Sequence, residues 1–305
     1  MSDPQFRSGF AALVGRPNAG KSTLTNALVG AKVAITSSKP QTTRHAIRGV
    51  RTERAAQLVL VDTPGLHRPR SLLGERLNDL VRETLLGVDV IGFCVPADQR
   101  PGPGDRFIAE DLSQLRRARK VPVVAIATKA DAVTRERLAE HLIALDRLAD
   151  WSEIIPCSAV RGDQVDEVAQ VLSAYLPPGP AMYPPGTLSD EPDTVIIAEL
   201  VREAALEGVR DELPHSLAVV VEEMAPRPDR SPQDPLTDVR VHIFVERPSQ
   251  KAIVIGRGGS RLVEVGSTAR RGIETVVGHR VYLDLHVKVA KDWQRDPKQL
   301  QRLGF

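Results

Sequence analysis

The sequence predicts an α/β protein in which a mostly parallel sheet with helices on both faces precedes a smaller α+β domain. Through the first half of the chain, short apolar runs alternate with helix-length amphipathic segments, a pattern typical of buried parallel strands joined by helices. The stretch 179–193 breaks this pattern with four prolines and two glycines, as an interdomain linker does. A chain of 305 residues is also longer than one hydrophobic core usually serves, so we expect two domains.

The first domain, at 8–178, is predicted from its apolar runs. The expected buried strands are Phe10–Val14, Leu58–Val61, Val90–Val95, Val121–Thr128 and Ile154–Pro156. The expected helices are Lys21–Val29, Gly74–Leu86, Asp105–Arg119 and Arg135–Leu148. Parallel strands end at one edge of their sheet, where α/β proteins bind ligands, so functional residues are expected directly after the strands.

The second domain, at 194–305, has a different order of elements. Its predicted elements are a helix at Thr194–Val209, strands at Leu217–Val221 and Val239–Val245, a helix from Leu262 to Val276, a strand at Val281–Val289 and a short helix at Trp293–Leu303. The second helix is recognised by apolar residues at helical spacing. The last strand is recognised by the strict alternation of apolar residues with polar or amphipathic ones. The proline-rich stretch 225–238 is predicted to be an irregular loop.

Composition places the chain among soluble globular proteins. Hydrophobic residues make up 42% and charged residues 26%, which excludes a collagen-like, coiled-coil or wholly disordered chain. No apolar run approaches the roughly 20 residues of a membrane helix, and no apolar core of a signal peptide is evident. With only two cysteines, the sequence fits a reducing setting, and we expect a cytoplasmic location.

Charge is distributed unevenly along the chain, although the net charge is only +2. The segment from Arg240 to the end has 13 basic and 6 acidic residues, whereas the rest has 28 and 33. A basic end on a nearly neutral protein suggests a polyanionic partner, and a solvated basic surface explains the charge alone equally well. Basic residues would also allow peripheral association with the inner face of the membrane, although no amphipathic anchor is evident.

One glycine-rich segment lies between a predicted strand and a predicted helix and matches the pattern GxxxxGK[ST]. Its residues are Gly15, Arg16, Pro17, Asn18, Ala19, Gly20, Lys21 and Ser22. The glycines allow backbone N–H groups and the helix N-terminus to face a phosphate. Lys21 adds a positive charge for the outer phosphates, and the Ser22 hydroxyl can bind Mg²⁺. The segment therefore predicts a nucleoside triphosphate site.

A second motif, Asp62-Thr63-Pro64-Gly65, follows the strand Leu58–Val61. The Asp62 carboxylate can hold Mg²⁺ through water, and the Gly65 N–H can bind a γ-phosphate, which makes the following segment sensitive to the nucleotide. In the polar segment 39–44, a threonine hydroxyl can complete the Mg²⁺ shell, and we favour Thr43 over Thr42. The predicted catalytic residues are Lys21, Ser22, Thr43, Asp62 and Gly65, and the predicted Mg²⁺ ligands are Ser22, Thr43 and Asp62.

Two later strand ends carry candidate residues for reading the base. They are Thr128, Lys129, Ala130 and Asp131 after one strand, and Ser158 and Ala159 after the next. The Asp131 carboxylate can accept two hydrogen bonds from guanine N1 and N2, which adenine cannot supply. Lys129 can pack its stem across the nucleotide, and the second segment can place a backbone N–H at guanine O6. The predicted nucleotide is therefore GTP or GDP. An ATPase is an alternative that Thr128 suggests and Asp131 argues against.

These motifs together resemble the Ras-like GTPase pattern. The segments Gly15–Ser22, Lys39–Arg44, Asp62–Leu66 and the second domain further resemble the Era family of bacterial GTPases, over about Phe10–Phe305. The resemblance implies a P-loop GTPase domain followed by a type II KH domain. It also implies that the protein binds the 3′ end of 16S ribosomal RNA and assists assembly and maturation of the 30S ribosomal subunit. We expect the chain to be a monomer.

Thr128, Leu66 and Asn18 bear on the base affinity and the rate of hydrolysis. The family usually has Asn at the position of Thr128, so base affinity is expected to fall while Asp131 keeps the guanine preference. Leu66 is also a predicted GTP-binding residue. It occupies the place where many Ras-like proteins have a water-orienting glutamine, so we expect slow hydrolysis. The resemblance also implies a K⁺ ion held by Asn18, unless this residue only shapes the loop.

The second domain contains a glycine-rich segment that resembles the KH signature. Its glycines would let single-stranded nucleic acid approach the backbone, with Arg257 near the phosphates. The predicted RNA-binding residues are Gly256, Arg257, Gly258, Gly259, Arg261, Lys291, Trp293 and Arg295. Trp293 can stack on a base or anchor the tail. The alternative function is a nucleotide-gated scaffold whose second domain binds a protein, which the basic charge and the glycines oppose.

Overall fold

The computed structural model describes residues 5–36, 43–67, 69, 71–207, 209, 213–228, 230–231 and 233–305. The chain forms two compact units. The first extends to Asp190, and the second consists mostly of Glu191–Phe305.

The first unit is built on a six-stranded sheet. Its strands are β1 Arg7–Val14, β2 Ile47–Thr52, β3 Ala56–Asp62, β4 Val90–Pro96, β5 Val123–Thr128 and β6 Glu153–Pro156, in the order β2-β3-β1-β4-β5-β6. All neighbouring pairs are parallel except β2 and β3. Strand β2 was not predicted. It lies at the edge of the sheet, and two of its six positions are exposed, so it lacks the continuous apolar run of a buried strand.

Helices cover both faces of this sheet. They are α1 Lys21–Val29, α2 Leu72–Leu86, α3 Pro103–Arg119, α4 Arg135–Asp146 and α5 Val165–Ala174. One buried cluster joins α1 and α5 to alternate residues of the strands, and another joins α2, α3 and α4 to the remaining ones. Helix α5 was not predicted, although its buried residues Val165, Val168 and Leu172 recur at helical spacing. The predicted doubly covered, mostly parallel sheet is confirmed.

Part of the predicted linker 179–193 belongs to the first unit. The side chain of Gln57, which is fully buried, accepts hydrogen bonds from the N–H groups of Met182 and Tyr183 at 2.6 and 2.9 Å. The N–H of Val50 in β2 donates to the carbonyl of Leu188 at 2.9 Å. The linker prediction is therefore corrected, because 179–190 packs along the β2–β3 edge of the sheet.

The second unit is an α+β domain, as predicted. Its elements are α6 Asp193–Leu206, α7 Leu213–Ser216, β7 Ala218–Pro226, β8 Leu236–Val245, α8 Pro248–Ile255, α9 Ser260–Val277, β9 Arg280–Val289 and α10 Pro297–Arg302. Strand β8 pairs antiparallel with β7 and parallel with β9. Apolar residues of α6 and α9 pack on one face of this sheet. The loop predicted at 225–238 is shorter than expected, because β7 continues to Pro226 and β8 begins at Leu236.

Candidate functional site

The predicted phosphate loop connects β1 to α1. A side chain cannot replace the hydrogen of Gly15, whose φ is +155°, because a Cβ there would lie 2.5 Å from the carbonyl oxygen of Cys94. Lys21 is buried, and its Nζ donates to the carbonyl oxygens of Gly15 and Arg16 at 3.3 and 3.0 Å. Burial lowers the pKa of Lys21, and the Asp62 carboxylate opposes this effect. The loop therefore curves around an ammonium group, which is where a phosphate of the nucleotide would meet it.

The three predicted Mg²⁺ ligands converge beside this loop. The Ser22 hydroxyl donates to Oδ2 of Asp62 at 2.6 Å, and the Thr43 hydroxyl lies 3.2 Å from the same atom. The two hydroxyl oxygens are 2.9 Å apart. These hard oxygen donors come from α1, the end of β3 and the segment before β2, and they suit Mg²⁺. Thr42, the weaker alternative, lies outside the described residues, as do 37–41.

The segment after β3 contacts the phosphate loop closely. A Cβ on Gly65 would lie 2.6 Å from the backbone nitrogen of Pro17, so a larger residue would push the two segments apart. The N–H of Leu66 donates to the carbonyl of Gly15 at 3.1 Å, while its side chain packs in the cluster beneath α2 and α3. The Thr63 hydroxyl donates to the carbonyl of Leu13 at 2.8 Å. The motif is therefore held against the loop by backbone contacts, with an apolar side chain at position 66.

The predicted base-reading residues meet at the ends of β5 and β6. The Ser158 hydroxyl donates to Oδ1 of Asp131 at 2.6 Å, which orients the carboxylate. The N–H of Ala130 donates to the carbonyl of Cys157 at 3.1 Å. The N–H of Ser158 donates to the carbonyl of Asp163, so the N–H of Ala159 is the better candidate for guanine O6. Lys129 pairs through Nζ with Asp98 at 3.2 Å.

Two further contacts fix the phosphate loop from outside its own motif. The Thr128 hydroxyl donates to the carbonyl of Ala19 at 2.6 Å, a role that the sequence did not reveal. Nε of Arg16 donates to Oδ1 of Asp105, a fully buried carboxylate at the start of α3, at 2.7 Å. Asp105 was missed, since nothing in its local sequence distinguishes it from a helix-capping residue. Asn18 has a left-handed backbone with φ +62° at the turn of the loop.

The glycine-rich segment of the second unit forms a turn between α8 and α9. Gly256 has φ +74°, and a Cβ there would lie 2.7 Å from the Cβ of Arg261. Gly258 and Gly259 have φ +60° and +82°, with open space where their side chains would be. Arg257 and Gly258 are exposed. The turn therefore presents bare backbone and one guanidinium group to solvent, as contact with a nucleic-acid backbone requires.

Two of the predicted RNA-binding residues make contacts within the protein. Nη2 of Arg261 donates to the carbonyls of Ala205 and Glu207 at 3.2 and 2.5 Å, at the end of α6. Trp293 is 0% exposed, and its Nε1 donates to the carbonyl of Ser216 at 2.9 Å. Its ring stacks on Phe305 with 5.5 Å between centroids. Of the two roles predicted for Trp293, stacking on a base or anchoring the tail, its complete burial favours the anchor.

The remaining predicted residues of the tail are accessible. Lys291 and Arg295, on either side of the buried Trp293, are both exposed. Their side chains can therefore approach a partner while the tryptophan holds the tail in place.

The phosphate loop, the oxygen donors for Mg²⁺ and the oriented carboxylate of Asp131 define a P-loop GTPase, and the second unit has the glycine turn of a KH domain. Family models agree with both parts: one described as a 50S ribosome-binding GTPase matches residues 10–129, and a KH domain model matches 212–294. The chain belongs to the GTPase Era family. The GTPase Era of Streptomyces coelicolor is 63% identical over 304 residues, covering 98% of this chain and 95% of the relative. That of Mycolicibacterium paratuberculosis is 64% identical over 302 residues, covering 99% of each.

Solved structures lead to the same family. A crystal structure of Era in complex with MgGDPNP and nucleotides 1506–1542 of 16S ribosomal RNA has a TM-score of 0.91 and 34% identity, and the match covers 98% of this chain and 99% of the other. A structure of an Aquifex aeolicus Era variant bound to GDP·AlF4⁻ has a TM-score of 0.92 and 34% identity at the same coverage. The predictions of a GTP-binding GTPase and of a P-loop GTPase domain followed by a KH domain are confirmed.

Within the described ranges, no helix combines the length and the apolar character that crossing a bilayer requires.

Proposed function

We propose that this protein is a slowly hydrolysing GTP switch that binds the 3′ end of 16S ribosomal RNA and assists assembly and maturation of the 30S subunit. The observation that carries the proposal is the match, over 98% of the chain, to an Era protein solved with MgGDPNP and nucleotides 1506–1542 of 16S ribosomal RNA. The exposed turn at Gly256–Gly259 supplies the surface that this function needs.

The nucleotide site explains binding and slow turnover. Ser22 and Thr43 would hold Mg²⁺, with Asp62 accepting hydrogen bonds in its outer shell, and the ion would neutralise charge on the outer phosphates. Lys21 and the backbone N–H groups of the loop bind the phosphates. Leu66 is buried and apolar, so it provides no group that orients the attacking water. Intrinsic hydrolysis therefore depends on electrostatic stabilisation alone and is slow.

A potassium ion beside Asn18 is the finer part of this proposal. A monovalent cation there would add the positive charge that the transition state of phosphoryl transfer requires. The alternative is that Asn18 only shapes the loop, for which its positive φ of 62° is evidence. Turnover measured in KCl and in NaCl at equal ionic strength separates the two. Faster turnover in KCl, lost in Asn18→Ala, supports the ion.

The RNA surface is proposed to consist of the glycine turn and the tail. Gly256, Gly258 and Gly259 let the strand approach the backbone, and Arg257 meets its phosphates. Lys291 and Arg295 are exposed and add charge from the tail. Trp293 supports this surface from its buried position, and Arg261 supports it through its bonds to the end of α6.

The location and the oligomeric state are also proposals. We propose a cytoplasmic location, because the proposed partner is ribosomal RNA, and we propose that the chain acts as a monomer. Association with the inner face of the membrane is a second location, favoured by the basic residues after Arg240. Fractionation of cells at low and high salt tests it, since a charge-mediated peripheral protein is released by salt.

The decisive experiment is filter binding of the full chain to an oligonucleotide of the 16S 3′ end, with GTP, with GDP and without nucleotide. The control is an oligonucleotide of equal length and composition in scrambled order. We expect tighter binding of the natural sequence, with an affinity that depends on the nucleotide and falls steeply with salt. Equal binding of both oligonucleotides, or none, would contradict the proposal and favour a scaffold that binds protein through its second domain.

A further inference from the structure

A cavity separate from the phosphate loop lies in the first unit, between the segment after β4 and helices α3 and α4. Its volume is about 360 Å³, within the range of small-molecule sites. Four basic residues, Arg100, Arg106, Arg137 and His141, contribute to its lining, with Glu140 as the acidic residue among them. The cavity therefore has an excess of positive charge.

The three guanidinium groups of the cavity are available to a ligand. Within the part of the chain that the structure describes, Arg100, Arg106 and Arg137 make no ion pair and no side-chain hydrogen bond, and all three are exposed. Other arginines of this unit are engaged, for example Arg16 with Asp105 and Arg51 with Asp166. Guanidinium groups are fork-shaped donors that match the oxygens of phosphates and carboxylates.

His141 forms part of the wall of the cavity. It is 5% exposed, and its Nε2 is buried, so a ligand would contact the surrounding arginines rather than this nitrogen. The imidazole is nevertheless close enough to the cavity to report on a bound group. Burial lowers the pKa of His141, while the carboxylates of Asp105 and Asp98 and the carbonyls of Gln99 and Val95 oppose that effect.

We propose that this cavity binds the phosphate group of a small phosphorylated molecule. Three guanidinium groups offer more donors than one carboxylate can accept, and a phosphate has the oxygens to use them. Ala97 and Leu148 also line the cavity and provide apolar surface for the organic part of the ligand. A concave site of this size suits a small molecule, whereas the backbone of an RNA helix would lie across an open surface.

The cavity is connected to the nucleotide site. Gln99 lines it, and its Oε1 accepts hydrogen bonds from both Nη atoms of Arg16 at 3.3 Å. Arg16 belongs to the phosphate loop and is also held by Asp105, the neighbour of Arg106 in α3. A ligand that contacts Gln99 therefore acts on the loop that holds the nucleotide, and we expect it to change the rate of GDP release.

The test uses the full chain, loaded with GDP and Mg²⁺ and labelled for NMR. Inorganic phosphate is titrated against chloride at constant ionic strength, and the imidazole signals of His141 are followed. We expect a saturable shift of these signals. The double variant Arg100→Gln/Arg137→Gln should weaken phosphate binding by about tenfold or more, because charge-assisted hydrogen bonds are lost. The matched control is Arg54→Gln/Arg135→Gln, which removes two exposed arginines outside the cavity and should bind as the wild type does.

The rate of GDP release, measured with a fluorescent analogue, provides the second readout. We expect phosphate to change it in the wild type and in the control variant, and to leave it unchanged in the cavity variant. No saturable shift of His141, or equal weakening in both double variants, would overturn the proposal. Displacement of phosphate by the 16S oligonucleotide would overturn the assignment to a small molecule. RNA binding and GTP turnover of the cavity variant are measured alongside, so failure here is distinguished from failure of the proposed function.

Discussion

The hydroxyl of Thr128 donates a hydrogen bond to the carbonyl oxygen of Ala19, with 2.6 Å between the two oxygens. Thr128 ends β5 and Ala19 lies in the phosphate loop, so this contact joins the base-reading edge of the sheet to the loop that holds the phosphates. The residues are 4% and 0% exposed, so water has little access to either group. At this position the hydroxyl, rather than the amide usual in the family, supports the loop.

Replacing Thr128 with valine keeps its shape and removes the donor. The buried carbonyl of Ala19 would then lack this partner, and the free energy of unfolding should fall by about 1–3 kcal/mol, with weaker binding of GDP. Denaturant unfolding with and without GDP measures both effects. The control Thr128→Ser retains the hydroxyl and should remain close to the wild type. A valine variant as stable as the wild type would show that the bond contributes nothing.

Replacing Lys21 with alanine removes the ammonium group inside the phosphate loop. We expect GTP hydrolysis to be abolished and nucleotide binding to be weakened, because the outer phosphates lose their positive partner. The measurement is turnover at saturating GTP, with circular dichroism to check the fold. Arg54→Ala, at an exposed position, serves as the control. Unchanged turnover in the Lys21 variant would remove the phosphate-loop assignment.

Replacing Asp131 with asparagine exchanges a double acceptor for an amide. The preference should shift from guanine toward xanthine, whose N1–C2 edge presents an additional acceptor. The shift is measured by the competition of GDP, ADP and XDP with a labelled nucleotide for the site. The control is Ser158→Ala, which removes the hydroxyl that donates to the Asp131 carboxylate at 2.6 Å. This variant should bind GDP more weakly without a change in base preference. Wild-type protein that binds ATP as tightly as GTP would exclude Asp131 as the base reader.

Features that appear as local apolar patterns could be predicted from the sequence, whereas contacts between residues far apart along the chain could not. Strands such as β3 and β5 are buried at every position, so their apolar runs located both the sheet and the motifs that follow them. The edge strand β2 was missed because some of its positions are exposed, as the residues of a loop are. The role of Trp293 could not be decided from sequence, since its partner Ser216 is 77 residues away. The buried carboxylate of Asp105 was missed for the same reason, because Arg16 is 89 residues away.

The glycine turn of the second unit should be essential for binding RNA. The double variant Arg257→Asp/Gly258→Asp places carboxylates against the phosphates. No atom lies within 4 Å of a Cβ at Gly258, so the side chain meets no clash, and its φ of +60° adds only local backbone strain that aspartate adopts more readily than most residues. RNA binding should fall sharply, while GTP turnover without RNA should be nearly unchanged. Filter binding with the 16S 3′-end oligonucleotide measures the first effect, and phosphate release measures the second.

The control for this variant is Arg54→Asp/Gly30→Asp. It makes the same change in charge at an exposed arginine and at an exposed glycine, Gly30, which has φ +76° and open space around it. It should bind RNA as the wild type does. If the Arg257/Gly258 variant also retained full binding, recognition would be assigned to the tail around Lys291 and Arg295.

The tail should separate into an anchor and a contact surface. Lys291→Gln/Arg295→Gln should weaken RNA binding, and the slope of log affinity against log salt should fall by about 0.7 for each lost phosphate contact with a single strand. Trp293→Ala should instead lower the free energy of unfolding by about 3–5 kcal/mol, because a fully buried ring is removed. Trp293→Phe keeps a ring beside Phe305 and loses the hydrogen bond to Ser216, so its loss should be smaller. Titrations over a range of KCl concentrations and denaturant unfolding provide the two measurements. A Trp293→Phe variant with wild-type stability but weakened RNA binding would restore the tryptophan as an RNA contact.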